Sequence, residues 1–246
     1  MAQSKLIQTC KSKITNKKRI GSGSFGDVYK VSHTDWGEVA LKEMKNFEKA
    51  TDRDKRSLEK EATLLSSLRC KHIVLHYGII KEPCSFGLVM ELMHHGSVKQ
   101  FLENYDVAWA MKVDMVHSII LGMNYLHTTA EIVHRDLKIE NVLVNRRFQT
   151  KVSDFGLAIW NRCSTRYRKK SSYELIGTIS HIAPESLEDI NKKPTYEFDV
   201  YSFGITLWEF ITMEVPFERW ADHSIGSRDE LQGVEKFTTV GRKITV

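Results

Sequence analysis

His134-Arg135-Asp136-Leu137-Lys138-Ile139-Glu140-Asn141 decides how the rest of this chain is read, together with Asp154-Phe155-Gly156, whose aspartate follows Asp136 by eighteen residues. Two carboxylates, a lysine and an asparagine in this order make a chemical set. One acid, Asp136, can accept a proton from a hydroxyl. A second acid, Asp154, and the Asn141 amide offer hard oxygen donors to a divalent cation. Lys138 can neutralise a moving phosphate. Phosphoryl transfer needs little else, because the protein mainly positions groups and stabilises charge.

These residues resemble the protein kinase family. The strings H-R-D-L-K-x-x-N and D-F-G both stand without a substitution. Asp-Phe-Gly alone reads equally well as a turn after a strand; the eight-residue string at this distance gives the pair its weight.

Upstream, Gly21-Ser22-Gly23-Ser24-Phe25-Gly26 is a G-x-G-x-x-G pattern, which dinucleotide-binding folds also use. Such a fingerprint opens a helix. Here Asp27-Val28-Tyr29-Lys30-Val31 alternates and is rich in strand formers, so the glycines join two strands and an oxidoreductase reading falls away. Strand, glycine turn and strand match the kinase loop that covers phosphates, where the missing Cβ lets backbone N–H groups approach oxygen. Glu38-Val39-Ala40-Leu41-Lys42 is a further strand resembling the family's V-A-I-K, with Ala40 and Lys42 on one face. Residues 51–69 read as a helix on Leu58, Ala62, Leu65 and Leu68. Strands follow at 74–80 and 86–91, a helix at about 110–127 with Val113, Val116, Ile120 and Met123 on one face, and a hairpin at 142–144 and 150–152. The helix led by Phe198-Asp199-Val200 is apolar nearly all round and reads as buried, with Asp199 near its start as a cap.

The resemblance implies an α+β, bilobal kinase fold over residues 17–218. A five-stranded small lobe with one helix spans about 17–93, and a mainly helical large lobe about 94–218. Residues 1–16 form a tail or short leading strand, and 219–246 an atypical tail. Because 219–246 depart from the expected helices, the reading anticipates a truncated large lobe, weak stability and low activity.

By the same resemblance, ATP and Mg²⁺ are the cofactors. The glycine loop (Gly21 to Gly26) covers the phosphates, and Lys42 holds them with Glu61 as its partner. Val28, Ala40 and Leu143 enclose adenine. Met90 is the gatekeeper, and the backbone of Glu91 and Met93 bonds the base. Asp136, Lys138 and Thr178 serve the transfer, Asn141 and Asp154 hold metal, and Asp199 anchors the catalytic-loop backbone.

Lys138 is the mark of the serine/threonine type. Ser153-Asp154-Phe155-Gly156-Leu157-Ala158 and the run around Asp199-Val200-Tyr201-Ser202-Phe203 are similar to the receptor-interacting serine/threonine kinases of the tyrosine-kinase-like group. That implies protein substrates and partners in intracellular signalling, with a homo- or hetero-dimer allowed. Ser171 and Ser172, amid Arg166, Arg168, Lys169 and Lys170, are the expected sites of regulatory phosphorylation. Two departures stand out: His181 replaces an aromatic tyrosine, and His76 replaces a leucine of the regulatory stack. The competing class is a nucleotide-binding pseudokinase or scaffold.

Composition narrows the field. An apolar fraction of 41% and a charged fraction of 27% suit a globular domain. The net charge of +5 comes with no aromatic-interleaved basic stripe, so no nucleic-acid partner is expected. Cys10, Cys70, Cys84 and Cys163 lie far apart, which fits a reducing compartment and a cytoplasmic location. No apolar run is long enough for a membrane span.

Overall fold

Alternating, β-branched segments in the first ninety residues build one twisted sheet, and the helices that follow supply a second layer of core below it. The structure, a computed structural model, describes residues 7–22, 26–44, 47–49, 52–160, 178–189 and 193–218. The sheet contains β1 (Gln8–Thr9), β2 (Ile14–Ser22), β3 (Gly26–His33), β4 (Gly37–Met44), β5 (His76–Glu82) and β6 (Ser85–Glu91), in the order β1-β5-β6-β4-β3-β2. Five of these strands are the expected ones. The sixth, β1, comes from the leading segment and pairs parallel to β5, with Gln8 opposite Ile79. It covers an edge that would otherwise present unpaired backbone groups. The β3–β4 turn closes at Gly37, whose φ of 70° is the left-handed region that favours glycine.

Antiparallel register puts Val28 opposite Lys42, Lys30 opposite Ala40, and Ala40 opposite Met90. Directly opposed residues point the same way, so Val28, Ala40, Lys42 and Met90 share one face. The other face carries Val31, Val39, Leu41, Ile80 and Val89, a separate apolar cluster. Helix α1 (Asp52–Ser67) packs through Ala62, Leu64 and Leu65, followed by Leu68, into the main core with Phe86 and Leu88.

The chain leaves β6 and starts α2 (Val98–Asn104) at a capping box: Ser97 Oγ accepts from Gln100 N at 3.2 Å, and Gln100 Oε1 accepts from Ser97 N at 3.0 Å. Helix α3 (Trp109–Tyr125) corrects the sequence reading in part: of the expected stripe, Met123 is buried and Val116 packs against the core, but Val113 and Ile120 do not. Its buried residues are Met115, Ile119, Gly122 and Met123, while Val113 and Ile120 are 50% and 45% exposed. Both stripes have helical spacing, and a glycine selects between them. A Cβ on Gly122 would sit 3.0 Å from the His72 carbonyl oxygen and 3.2 Å from Val152, so only this face lets the helix approach so closely.

Short strands β7 (Ile132–Val133), β8 (Val142–Val144), β9 (Thr150–Val152) and β10 (Ile159–Trp160) form two pairs, β7 with β10 and β8 with β9. After α4 (Pro184–Glu188) comes α5 (Tyr196–Thr212).

The reading of α5 as a helix buried all round is also corrected. Val200, Trp208 and Ile211 are exposed, whereas Asp199, Ser202, Thr206 and Glu209 are buried. Spacings of three, four and three put these four polar residues on one stripe. An apolar helix here turns its polar stripe inward, against the catalytic loop.

Candidate active site

The loop between β7 and β8 carries His134 to Asn141, and its shape is held from α5. Asp199 Oδ2 accepts from His134 N at 2.8 Å and Oδ1 accepts from Arg135 N at 2.9 Å. His127 Nε2 adds a third bond to Oδ2 at 2.8 Å. Asp199 lies four residues after the N-cap Thr195, so it is not the cap: its carboxylate belongs to the loop. Arg135 has a φ of 73°, and these bonds fix that strained residue. Further along the stripe, Thr206 Oγ1 donates to Leu137 O at 3.3 Å.

From the other side, His134 Nε2 lies 2.9 Å from Ser153 O. A carbonyl can only accept, so Nε2 carries the proton and Nδ1 is free to accept from Asp136 N at 3.3 Å. The His134 ring meets Phe155 edge-on at 5.0 Å. Ser153 N donates to Asn141 O at 2.9 Å, tying the loop to the strand before Asp154.

Asp136 is thereby presented with a defined set of neighbours. Its Oδ1 accepts from Thr178 N at 3.1 Å and from Thr178 Oγ1 at 2.9 Å. Lys138 Nζ donates to the same Thr178 hydroxyl at 2.8 Å and lies 3.7 Å from Asp136 Oδ2. Thr178 therefore bridges acid and ammonium. Asn141 Nδ2 donates to Asp136 O at 2.7 Å and Oδ2 at 2.8 Å, which turns its Oδ1 into the amide's remaining donor oxygen. Asp154 has a φ of 61° and receives Lys42 Nζ on Oδ1 at 3.0 Å. Burial works to raise the Asp154 carboxyl, but the charge and hydrogen bond of Lys42 outweigh it and hold the group below the ordinary carboxylate range.

Lys42 thus joins Asp154 across 112 positions of sequence. The side chain of its expected partner Glu61, on α1, lies outside the described residues, as do Gly23, Ser24 and Phe25 and the segment holding Ser171 and Ser172. Of the glycine loop, Gly21 and Ser22 end β2 and Gly26 begins β3. A Cβ on Gly26 would collide with the Glu43 carbonyl, so this glycine is required by strand packing as well as by any ligand. Among the described residues a Cβ on Gly21 would meet Val28 Cβ first, at 3.9 Å.

At the junction of the lobes, Glu91 N donates to Leu75 O at 2.9 Å. The Glu91 carboxylate accepts from Leu75 N and Lys151 Nζ, both at 2.6 Å. Met93 is buried, and its carbonyl accepts from Gly96 N at 3.3 Å. Leu143, half-buried on β8, pairs with Ser97 at the start of α2.

Sequence reasoning missed the rest of the α5 stripe. Its signal was present in Asp199, Ser202, Thr206 and Glu209, polar at helical spacing within an apolar helix. The two unusual histidines are both buried. His76 is 5% exposed and His181 4%, and burial pushes each down to about 4. Nε2 of each ring has no hydrogen-bond partner among the described residues.

A family model described as protein tyrosine and serine/threonine kinase matches residues 14–232. The chain belongs to that family. Ankyrin repeat and protein kinase domain-containing protein 1 of Mus musculus is 36% identical over 201 residues, 80% of this chain and 27% of that protein. Receptor-interacting serine/threonine-protein kinase 4 of Homo sapiens is 36% identical over 205 residues, covering 82% of this chain and 24% of its own length. Receptor-interacting serine/threonine-protein kinase 2 of Bos taurus is 33% identical over 214 residues, 84% and 40% respectively. The chain therefore carries a kinase domain of the serine/threonine type similar to the receptor-interacting kinases, and spans about a quarter to two-fifths of the length of these relatives.

Proposed function

We propose that this chain is an ATP-dependent protein serine/threonine kinase that transfers a γ-phosphoryl group to a protein hydroxyl in intracellular signalling. One observation carries the reading: Asp136, Thr178, Lys138 and Asn141 form one continuous hydrogen-bonded set around a carboxylate that can accept a proton. The new bond forms between the acceptor oxygen and Pγ, the bond from Pγ to the β-bridging oxygen breaks, and the acceptor proton passes to Asp136. Lys138 faces the charge that develops on the transferred group, and Lys42 the non-transferred phosphates. Val28, Ala40, Met90 and Leu143 supply apolar surface for adenine, with the Glu91–Met93 backbone as its polar edge.

Asn141 Oδ1 and the ionised Asp154 are the hard oxygen donors that fit Mg²⁺. Bound there, the ion would neutralise phosphate charge. Partners are protein substrates and signalling proteins, in the cytoplasm. Among the described residues no helix is long and apolar enough to cross a membrane.

A second reading, a nucleotide-binding scaffold with little turnover, is favoured by the exposed apolar outer face of α5 at Val200, Trp208 and Ile211. One experiment separates them: ATP-dependent phosphate incorporation into a protein acceptor by the full chain, beside Asp136→Asn and Lys42→Ala. The kinase reading expects incorporation that both substitutions abolish while the fold, read by circular dichroism, is unchanged. Incorporation that persists in Asp136→Asn refutes the assignment. None in the unmodified chain, with nucleotide binding retained, establishes the scaffold.

A further inference from the structure

The last member of the buried polar stripe on α5, Glu209, meets Lys99 with one carboxylate oxygen and leaves the other without a hydrogen bond among the described residues. Glu209 Oε2 is buried without a hydrogen bond among the described residues, and so is His181 Nε2. The two atoms face each other at 3.8 Å, on side chains 6% and 5% exposed. Every other valence of the pair is engaged. Ser180 Oγ stands 3.0 Å from His181 Nδ1, and Lys99 Nζ from α2 lies 3.7 Å from Glu209 Oε1. Two buried polar atoms left over at this distance would each cost the full desolvation of an unmade bond.

His181 is tied to the transfer site through its main chain. Its N donates to Thr178 O at 2.8 Å, and its carbonyl accepts from Ser202 Oγ at 2.7 Å. Thr178 in turn grips Asp136. We propose that His181 Nε2 and Glu209 Oε2 close from this 3.8 Å approach to share one proton, and that the bond so formed holds the Thr178 turn against Asp136, making both positioning residues for the hydroxyl acceptor. This rests on the kinase reading above.

The charges around the pair support it. Burial first, then the charge of Glu140, pushes the Glu209 carboxyl up to about 7, against the opposing pull of Lys99 and Lys138. His181, with Glu140, Lys138 and Asp136 around it, is neutral in the same range because burial holds it near 4. Below pH 7 Glu209 therefore carries the proton and can donate it to Nε2, while Nδ1–H is given to Ser180. Above pH 7 the ionised Glu209 is drawn toward Lys99 and away from the turn.

The test uses the full chain with ATP, Mg²⁺ and a protein acceptor, across pH 6 to 8.5. His181→Phe and Glu209→Leu should each lower kcat by about tenfold or more, as expected for a displaced acceptor site, with KM for ATP unchanged. The double variant should be no worse than either single one. In the unmodified chain kcat should fall as pH rises through about 7. Glu209→Gln, whose amide can still donate to Nε2, should keep kcat within about twofold and lose that pH step. Unchanged kcat in folded His181→Phe, additive losses in the double variant, or a pH step that survives Glu209→Gln overturns the proposal. Should the unmodified chain transfer no phosphate, the kinase reading and the positioning role both fail. Nitrogen NMR of His181 then reads proton sharing alone: a titration of Nε2 that disappears in Glu209→Gln supports it, and an Nε2 signal indifferent to Glu209 refutes it.

Discussion

Replacing His76 with leucine should stabilise the protein, and by more in acid than at neutral pH. His76 opens β5, opposite Met90, and is 5% exposed with Nε2 unpaired. An unsatisfied buried polar atom costs about 1–3 kcal/mol, which a leucine of similar volume removes. Protonation adds a second term. Burial first, and the charge of Arg69 second, lower this imidazole from 6.5 to about 4. The unfolded chain takes up the proton below 6.5, whereas the folded chain resists until about 4, so the stability contributed by the neutral ring drains away as pH falls through that window. At pH 5 the loss is about 2 kcal/mol, at 1.36 kcal/mol per pH unit over roughly 1.5 units. Leucine has no such loss. His76→Leu should therefore gain about 1–3 kcal/mol at pH 7.5 and about 3–5 kcal/mol at pH 5. In a domain of this size that is about 2–4 °C in Tm per kcal/mol. Thermal unfolding by circular dichroism at both pH values measures it. A Tm that drops, or a gain of equal size at the two pH values, would show that the ring is satisfied in the folded protein and that the argument fails.

Asp199→Ala removes the acceptor of two buried backbone N–H groups and of His127. It should lower stability by about 2–5 kcal/mol, measured in urea, and abolish phosphate incorporation because the Arg135 turn relaxes; near-normal turnover would dismiss the anchoring role. Gly26→Ala must displace the Glu43 carbonyl and should destabilise by about 1–3 kcal/mol, whereas Gly21→Ala, whose added methyl group meets Val28 Cβ first among the described residues, at 3.9 Å, should stay within about 0.5 kcal/mol. Equal thermal stabilities for the two variants would remove the packing account of the third glycine.

The sequence by itself determined the chemistry and the order of the elements. The spacing of Asp136, Lys138, Asn141 and Asp154 is local enough for a string of residues to carry it. The alternation after Gly26 sufficed to reject a helix there, because strand period and strand composition agreed. For the leading segment the sequence left tail and short strand open, and the structure chose between them: β1 is two residues long and gains its strand character from the edge of β5. Tertiary structure decided whatever depended on which of two equivalent faces turns inward. On α3, the stripe of Val113 and Ile120 and the stripe of Met115 and Ile119 are equally periodic, and only the close approach of Gly122 to His72 selects between them. On α5, average hydrophobicity pointed to burial all round, yet the buried side carries Asp199, Ser202, Thr206 and Glu209 beside Phe198 and Phe210, and Val200, Trp208 and Ile211 are exposed. The reason is that the catalytic loop from His134 to Leu137 makes no helix or strand of its own, so its backbone N–H and C=O groups must find partners elsewhere. Those partners lie 64 or more positions away for His134, Arg135 and Leu137. A need of that kind leaves no mark on the sequence near the loop. It becomes visible only once the fold has brought the helix beneath it.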